Sequence, residues 1–309
     1  MKKLTFYSQK LKKSLLEYYP GCPFSRGSLF LDKQQSLTFD DPFSLRKLNK
    51  IFERYRNSPF IAPKKGEPVI FIASGGLDSI SNIFLLLEKY KTRIFVIHFV
   101  EKKEEKKSID FFSNLFKKKY PRQYMETKYF KESNIFQFND KAYRVFAKDP
   151  NFFIPNLLET SNHNYHFFMN RYPLSICLEA LRAVEYALWL QTNRKIRIRT
   201  ILRGSLPEDG YHSRRVTLTT YRAINLAICY MLGDFTFQFS SISIEKDFDH
   251  FYTIGDLIKF THHHGVPLEK TYSCDLDREY HCGKCIFCQH RKAKFKIAKV
   301  EDHTVYQTS

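Results

Sequence analysis

The apolar run Pro68-Val69-Ile70-Phe71-Ile72-Ala73 ends on Ser74-Gly75-Gly76-Leu77-Asp78-Ser79 and passes directly into a stretch from Ile80 to Tyr90. There Ile83, Phe84, Leu86 and Leu87 recur at helical spacing. A short strand that is apolar on both faces belongs inside a parallel sheet covered by helices. The adjacent glycines permit unusual dihedrals and close approach of the backbone to a ligand. Their N–H groups, with the positive end of the following helix, form a nest suited to phosphate oxygens. Ser74 and Ser79 can add hydroxyl donors. Asp78 cannot favour phosphate by itself, so it suits a ligand or orienter of Mg²⁺ bridging the phosphates. The string is neither a Walker loop, which would carry Gly-Lys-Ser/Thr, nor a dinucleotide fingerprint.

Around this feature strands alternate with helices. Further strands are expected over 93–99, 196–202 and 235–244, and helices over 43–56, 108–118, 174–190 and 219–232; residues 121–165 remain ambiguous. Such alternation implies βαβ units and a parallel α/β sheet with helices on both faces. Residues 1–65, broken by Pro20, Gly21, Pro23 and Gly27, read as an N-terminal extension. The α/β domain is expected over 66–265, and a separate cysteine-rich unit packs on it over 266–309.

That unit holds Cys274, Cys282, Cys285 and Cys288 in a C-x7-C-x2-C-x2-C array. Four thiolates at this spacing fit a closed, tetrahedral structural Zn²⁺ site, and an iron–sulfur cluster is the alternative. Seven cysteines behind a charged N-terminus that lacks an apolar signal segment give the expectation of a cytosolic protein with thiols and metal ligands in place of disulfides. No apolar run reaches the roughly 18 residues of a membrane span. The formal charge of +18 suits a polyanionic ligand such as nucleic acid, or an acidic protein partner, or equally a solvated lysine-rich surface.

Ser74-Gly75-Gly76-Leu77-Asp78-Ser79 resembles the Ser-Gly-Gly-x-Asp-Ser signature of PP-loop ATP pyrophosphatases. That resemblance implies a Rossmann-like sheet, cleavage of ATP between its α and β phosphates, and adenylation of a substrate oxygen that nitrogen or sulfur then displaces. Gly265-Val266-Pro267-Leu268, Thr271-Tyr272-Ser273-Cys274 and Cys282-Gly283-Lys284-Cys285-Ile286-Phe287-Cys288-Gln289-His290-Arg291 resemble the C-terminus of QueC-type 7-cyano-7-deazaguanine synthases. Gly204-Ser205-Leu206-Pro207-Glu208-Asp209-Gly210-Tyr211 is similar to that family's Gly-x-x-x-x-Asp-x-x-Tyr segment, with the tyrosine one position early.

The resemblance implies activation of the carboxylate of 7-carboxy-7-deazaguanine with ATP, ammonia giving the amide and a second round the nitrile. Gly204, Asp209 and Tyr211 would lie at this substrate, with Asp78 and Asp209 serving the chemistry. Arg171, similar to an arginine of the family's Pro-x-Arg-Asn segment, would join them. Family members often form homodimers. His98-Phe99-Val100-Glu101-Lys102-Lys103-Glu104 departs from the family's Tyr-Gly-Gln-Arg-His-like stretch. With the N-terminal extension and the basic charge, this departure suggests a specialised paralogue of the kind found in anti-phage defence operons, where the activated base can pass to a macromolecule. The competing readings are a tRNA-modifying PP-loop enzyme and a non-catalytic nucleotide-binding subunit of a defence complex.

Overall fold

A computed structural model of the chain describes residues 42–131, 174–206, 209, 214–245 and 252–307. In order along the chain these form α1 (Pro42–Arg56), β1 (Pro68–Ile72), α2 (Leu77–Glu88), β2 (Arg93–Val100), α3 (Lys103–Lys119) and β3 (Tyr124–Lys131). They continue as α4 (Ser175–Arg194), β4 (Thr200–Arg203), α5 (Leu218–Leu232), β5 (Gln238–Ser241), α6 (Ile254–His263) and α7 (Ile286–Ala298).

The five strands make one wholly parallel sheet in the order β3-β2-β1-β4-β5. Successive side chains of a strand point to opposite faces, and the apolar residues of β1 divide accordingly. Val69 and Phe71 join a core built with α2, α3, α6 and α7. Ile70 and Ile72 join a second core with α1, α4 and α5. β2 does the same, sending Ile94 and Val96 one way and Phe95, Ile97 and Phe99 the other. The α/β class with helices on both faces is therefore what the sequence led one to expect.

The differences have physical causes. β3 falls in the stretch left ambiguous, because it is an edge strand whose Glu126, Lys128 and Lys131 interrupt the apolar pattern of its central neighbours. The strand expected over 196–202 is observed over Thr200–Arg203, and Arg199 just before it pairs with Asp234 at 2.7 Å. The strand expected over 235–244 pairs over Gln238–Ser241 alone. α6, not anticipated as a helix, starts with a complete capping box in which Thr253 accepts from the Asp256 N–H and Asp256 accepts from the Thr253 N–H. α1, inside the stretch read as an extension, packs on α5 and buries Phe52.

α1 is tied to the sheet by charge as well as by packing. Arg222 of α5 donates to both carboxylate oxygens of Glu245 at 2.6 and 2.8 Å, and through Nε to Asn49 of α1 at 3.0 Å. Arg222 and Glu245 are both buried, and Ser240 of β5 also donates to Glu245. Removing one partner of a buried pair leaves an uncompensated charge. Arg222→Ala should therefore lower stability by about 3–5 kcal/mol in urea unfolding. The double variant Arg222→Met with Glu245→Leu should recover much of that loss, and a single variant as stable as the parent would contradict this account.

Candidate active site

The order of the sheet decides where a ligand can sit. β1 has β2 on one side and β4 on the other, so the loops leaving β1 and β4 diverge and open a crevice at the carboxyl edge. A cavity of about 180 Å³ lies there. Its wall includes Ser74, Asp78 and Ser79 from the loop after β1, Glu101 after β2, and Gly204 and Asp209 after β4.

The loop has the geometry expected of a phosphate cradle. Gly75 has φ +81°, and a Cβ there would meet the Glu105 carbonyl at 2.8 Å, so no other residue fits without strain. Gly76 is the N-cap of α2 with extended dihedrals and no capping side chain, which leaves the first-turn N–H groups without a side-chain cap. Ser79 Oγ donates to the Gly76 carbonyl at 3.1 Å and lies 3.2 Å from Ser74 Oγ. Leu77 points the other way and is buried in the core.

Gly204 matters because β4 passes directly behind this loop. A Cβ on it would lie 2.7 Å from Ser79 Cα and 3.0 Å from Ser79 N, so glycine permits the two segments to touch. Past it, Asp209 Oδ2 accepts from the Leu206 N–H at 2.9 Å, and Ser241 of β5 donates to the Ser205 carbonyl at 2.6 Å. These bonds fix the loop so that Asp209 comes close to Asp78. Burial, and after it the Asp78 carboxylate, push the Asp209 carboxyl up to about 6 against the opposing pull of Lys294. Tyr211 and Arg171 lie outside the described residues.

Asp78 has an unforeseen partner. Its Oδ2 sits 2.6 Å from the ammonium of Lys294 on α7, while its Oδ1 is buried and accepts no hydrogen bond. Sequence reasoning missed Lys294 because one lysine in a lysine-rich helix carries no distinguishing pattern. It also missed Glu179 of α4, which pairs with Arg203 at the crevice wall. Glu101 and Glu105 line the same wall, so the crevice is acidic although the chain as a whole is strongly basic.

The cysteine unit is not separate from this site. Tyr272 donates its N–H to the Gly75 carbonyl at 3.0 Å, and the same carbonyl accepts from Ser108 Oγ of α3 at 2.8 Å. Asp277 accepts from the N–H groups of Lys103 and Glu104, both at 3.0 Å, capping the α3 terminus. The Sγ atoms of Cys274, Cys282, Cys285 and Cys288 all lie within 4.8 Å of one another, a cluster able to hold a metal ion. Behind them the fully buried Arg291 donates to the Leu268 carbonyl, Thr271, Ser273 and Thr304 at 2.7–3.1 Å, which locks the segment leading into Cys274. His281 accepts from the Ser273 N–H at 3.0 Å, and burial holds its ring well below the usual histidine range, at about 4.

With this geometry in place, the comparison with known families is informative. Residues 228–299 match the family model described as queuosine biosynthesis protein QueC. This stretch is similar to the QueC family. It contains β5, α6, the four clustered cysteines and α7. The 7-cyano-7-deazaguanine synthase of Methanothrix thermoacetophila is 52% identical over 42 residues, which are 14% of this chain and 19% of that protein. The enzyme of the same name from Methanobrevibacter smithii is 39% identical over 64 residues, 21% of this chain and 26% of that protein. The matches thus span a fifth to a quarter of the relatives' own length. Among solved structures, the U34-tRNA thiolase NcsA of Methanococcus maripaludis with its 4Fe-4S cluster aligns over 83% of this chain and 76% of that one. Its identity is 14% and its TM-score 0.34, and that likeness bears no weight here. No helix among the described residues is long and apolar enough to cross a membrane.

The raised carboxyl of Asp209 has a measurable consequence. Its folded value near 6 lies above the unfolded value of about 3.9, so the ionised group opposes folding. That cost is fully present above about pH 6 and disappears as pH falls towards 4. Asp209→Asn keeps an acceptor for the Leu206 N–H and removes the charge. The ligand-free variant should be more stable than the parent by about 1–3 kcal/mol near pH 7.5, with the difference closing near pH 4. Chemical denaturation at several pH values reads this directly, and equal stabilities near pH 7.5 would contradict it.

Proposed function

We propose that the chain is an ATP-dependent synthase that activates the carboxylate of a 7-carboxy-7-deazaguanine-type substrate for attack by nitrogen. The observation that carries this reading is the meeting of the glycine loop with Asp78 and Asp209 at the diverging strand ends, beside a QueC segment.

The chemistry follows from the substrate. A carboxylate resists nucleophiles until one oxygen becomes part of a leaving group. In the proposed reaction a carboxylate oxygen attacks the α-phosphorus of ATP and pyrophosphate departs. Ammonia then attacks the acyl carbon, AMP leaves with the former carboxylate oxygen, and the lost proton leaves an amide. A second ATP activates the amide oxygen in the same way, and loss of AMP and a proton gives the nitrile. The residues of this chain serve binding and charge. The N–H groups of Gly75–Leu77 and the Ser74 and Ser79 hydroxyls hold phosphate oxygens, and the α2 terminus adds its dipole.

Two carboxylates in one crevice, one with an oxygen that accepts no bond, fit a hard divalent cation. Asp78 and Asp209 would hold Mg²⁺, which supplies charge neutralisation of the phosphates. The cysteine cluster fits zinc. Tetrahedral thiolates around Zn²⁺ lie about 3.8 Å apart, from Zn–S bonds near 2.3 Å. The Cys274–Cys285 and Cys282–Cys288 sulfurs are each 3.9 Å apart. A closed four-thiolate site leaves no open position, so its contribution is to structure.

The test is incubation with Mg·ATP and 7-carboxy-7-deazaguanine, with and without ammonium, following pyrophosphate and product masses. AMP, pyrophosphate and the amide or nitrile should appear together. Asp78→Asn should reduce pyrophosphate release by at least about 100-fold while leaving the fold intact. Absence of pyrophosphate from a protein that binds ATP would contradict the proposal.

A further inference from the structure

The phosphate loop has no lysine of its own, and Arg203 is the basic residue among the described side chains that line the crevice. Arg203 is already committed to Glu179. Backbone dipoles and the Ser74 and Ser79 hydroxyls, with no uncommitted cation, would therefore face the phosphates of a nucleotide in a crevice lined by Asp78, Glu101, Glu105, Glu179 and Asp209.

A full positive charge nevertheless stands at the loop. α7 buries Cys288, Arg291, Phe295 and Ala298 along one stripe at helical spacing. That stripe is fixed at one end by the cysteine cluster, since Cys285 is the N-cap of the helix. It is fixed at the other by packing against Gly255 of α6, where a Cβ would meet Ile297 Cγ2 at 3.3 Å. Lys294 sits at the border of this stripe, less than two turns after Cys288. Its side chain is only 12% exposed and ends 2.6 Å from Asp78 Oδ2. A lysine on a free surface would keep its ammonium in water, whereas this one is directed inward to the acid of the phosphate loop.

We infer that Lys294 is a phosphate-binding residue, supplied to the nucleotide site by the helix that the cysteine cluster anchors. In the ligand-free protein it neutralises Asp78; with nucleotide bound, its ammonium donates to phosphate oxygens held by the loop. The inference rests on the ATP-using reading of this site. It also gives the cysteine unit a part in nucleotide binding, through the position of Lys294 on α7.

The experiment compares wild-type protein with Lys294→Met and Lys294→Arg, using calorimetric titration with Mg·ATP, with inorganic pyrophosphate and with adenosine. Lys294→Met should bind ATP and pyrophosphate about 10-fold or more weakly, because a charge-assisted bond to phosphate is lost. Adenosine binding should be unchanged, and Lys294→Arg should restore part of the ATP affinity. Equal weakening of ATP and adenosine would make Lys294 a structural residue only and overturn the inference. Unchanged ATP affinity in Lys294→Met would also overturn it while leaving the proposed function standing. A wild-type protein that binds neither ATP nor pyrophosphate would overturn both.

Discussion

The Gly75 carbonyl accepts one hydrogen bond from the Tyr272 N–H and another from the Ser108 hydroxyl. Glycine is required there because φ is positive and the Glu105 carbonyl leaves no room for a side chain. The glycine loop is therefore shaped by three segments at once: its own strand and helix, the first turns of α3, and the approach to the cysteine cluster. Asp277 reinforces the arrangement by capping α3 from the cysteine unit, and Lys294 reaches Asp78 from the far side of that unit. The sheet sets the crevice at the strand ends, and the C-terminal segment holds the loop in place.

The same segment manages the electrostatics. Burial and, after it, the neighbouring Asp78 carboxylate push the Asp209 carboxyl upward. Lys294 offsets part of this push in the ligand-free protein. Carboxylates gathered in this way cost the fold stability, which is the usual relation between a functional cluster and the fold that carries it. The buried Arg222–Glu245 pair shows the contrasting case, where the two charges neutralise each other and Asn49 and Ser240 add hydrogen bonds.

Much of this was legible in the sequence, and what was not has a common cause. β1, β2, α2 and the glycine loop announce themselves because both faces of those strands are buried and the apolar runs are unbroken. The four cysteines are equally visible, since their spacing is local. β3 was obscured by its edge position, and β4 and β5 were overextended because apolar residues continue beyond the paired stretch. The long-range partners could not be read at all. Nothing in Lys294, Tyr272 or Asp277 as residue types indicates a contact with residues 75–104, because such contacts depend on how α6 and α7 dock. Asp209 lines the crevice beside Asp78, and so do Glu179 and Arg203, which no motif announced.

The structure ties the glycine loop to the cysteine unit, whose cluster is able to hold a metal ion, so loss of metal should loosen the loop. Amide hydrogen exchange over residues 72–80, measured on zinc-loaded protein and again after chelation, tests it most directly. Loss of protection in the loop and at the start of α3, with β1 and β2 unchanged, is the outcome this structure predicts. Loop protection that is indifferent to metal removal, in a protein shown to have lost its zinc, would contradict it.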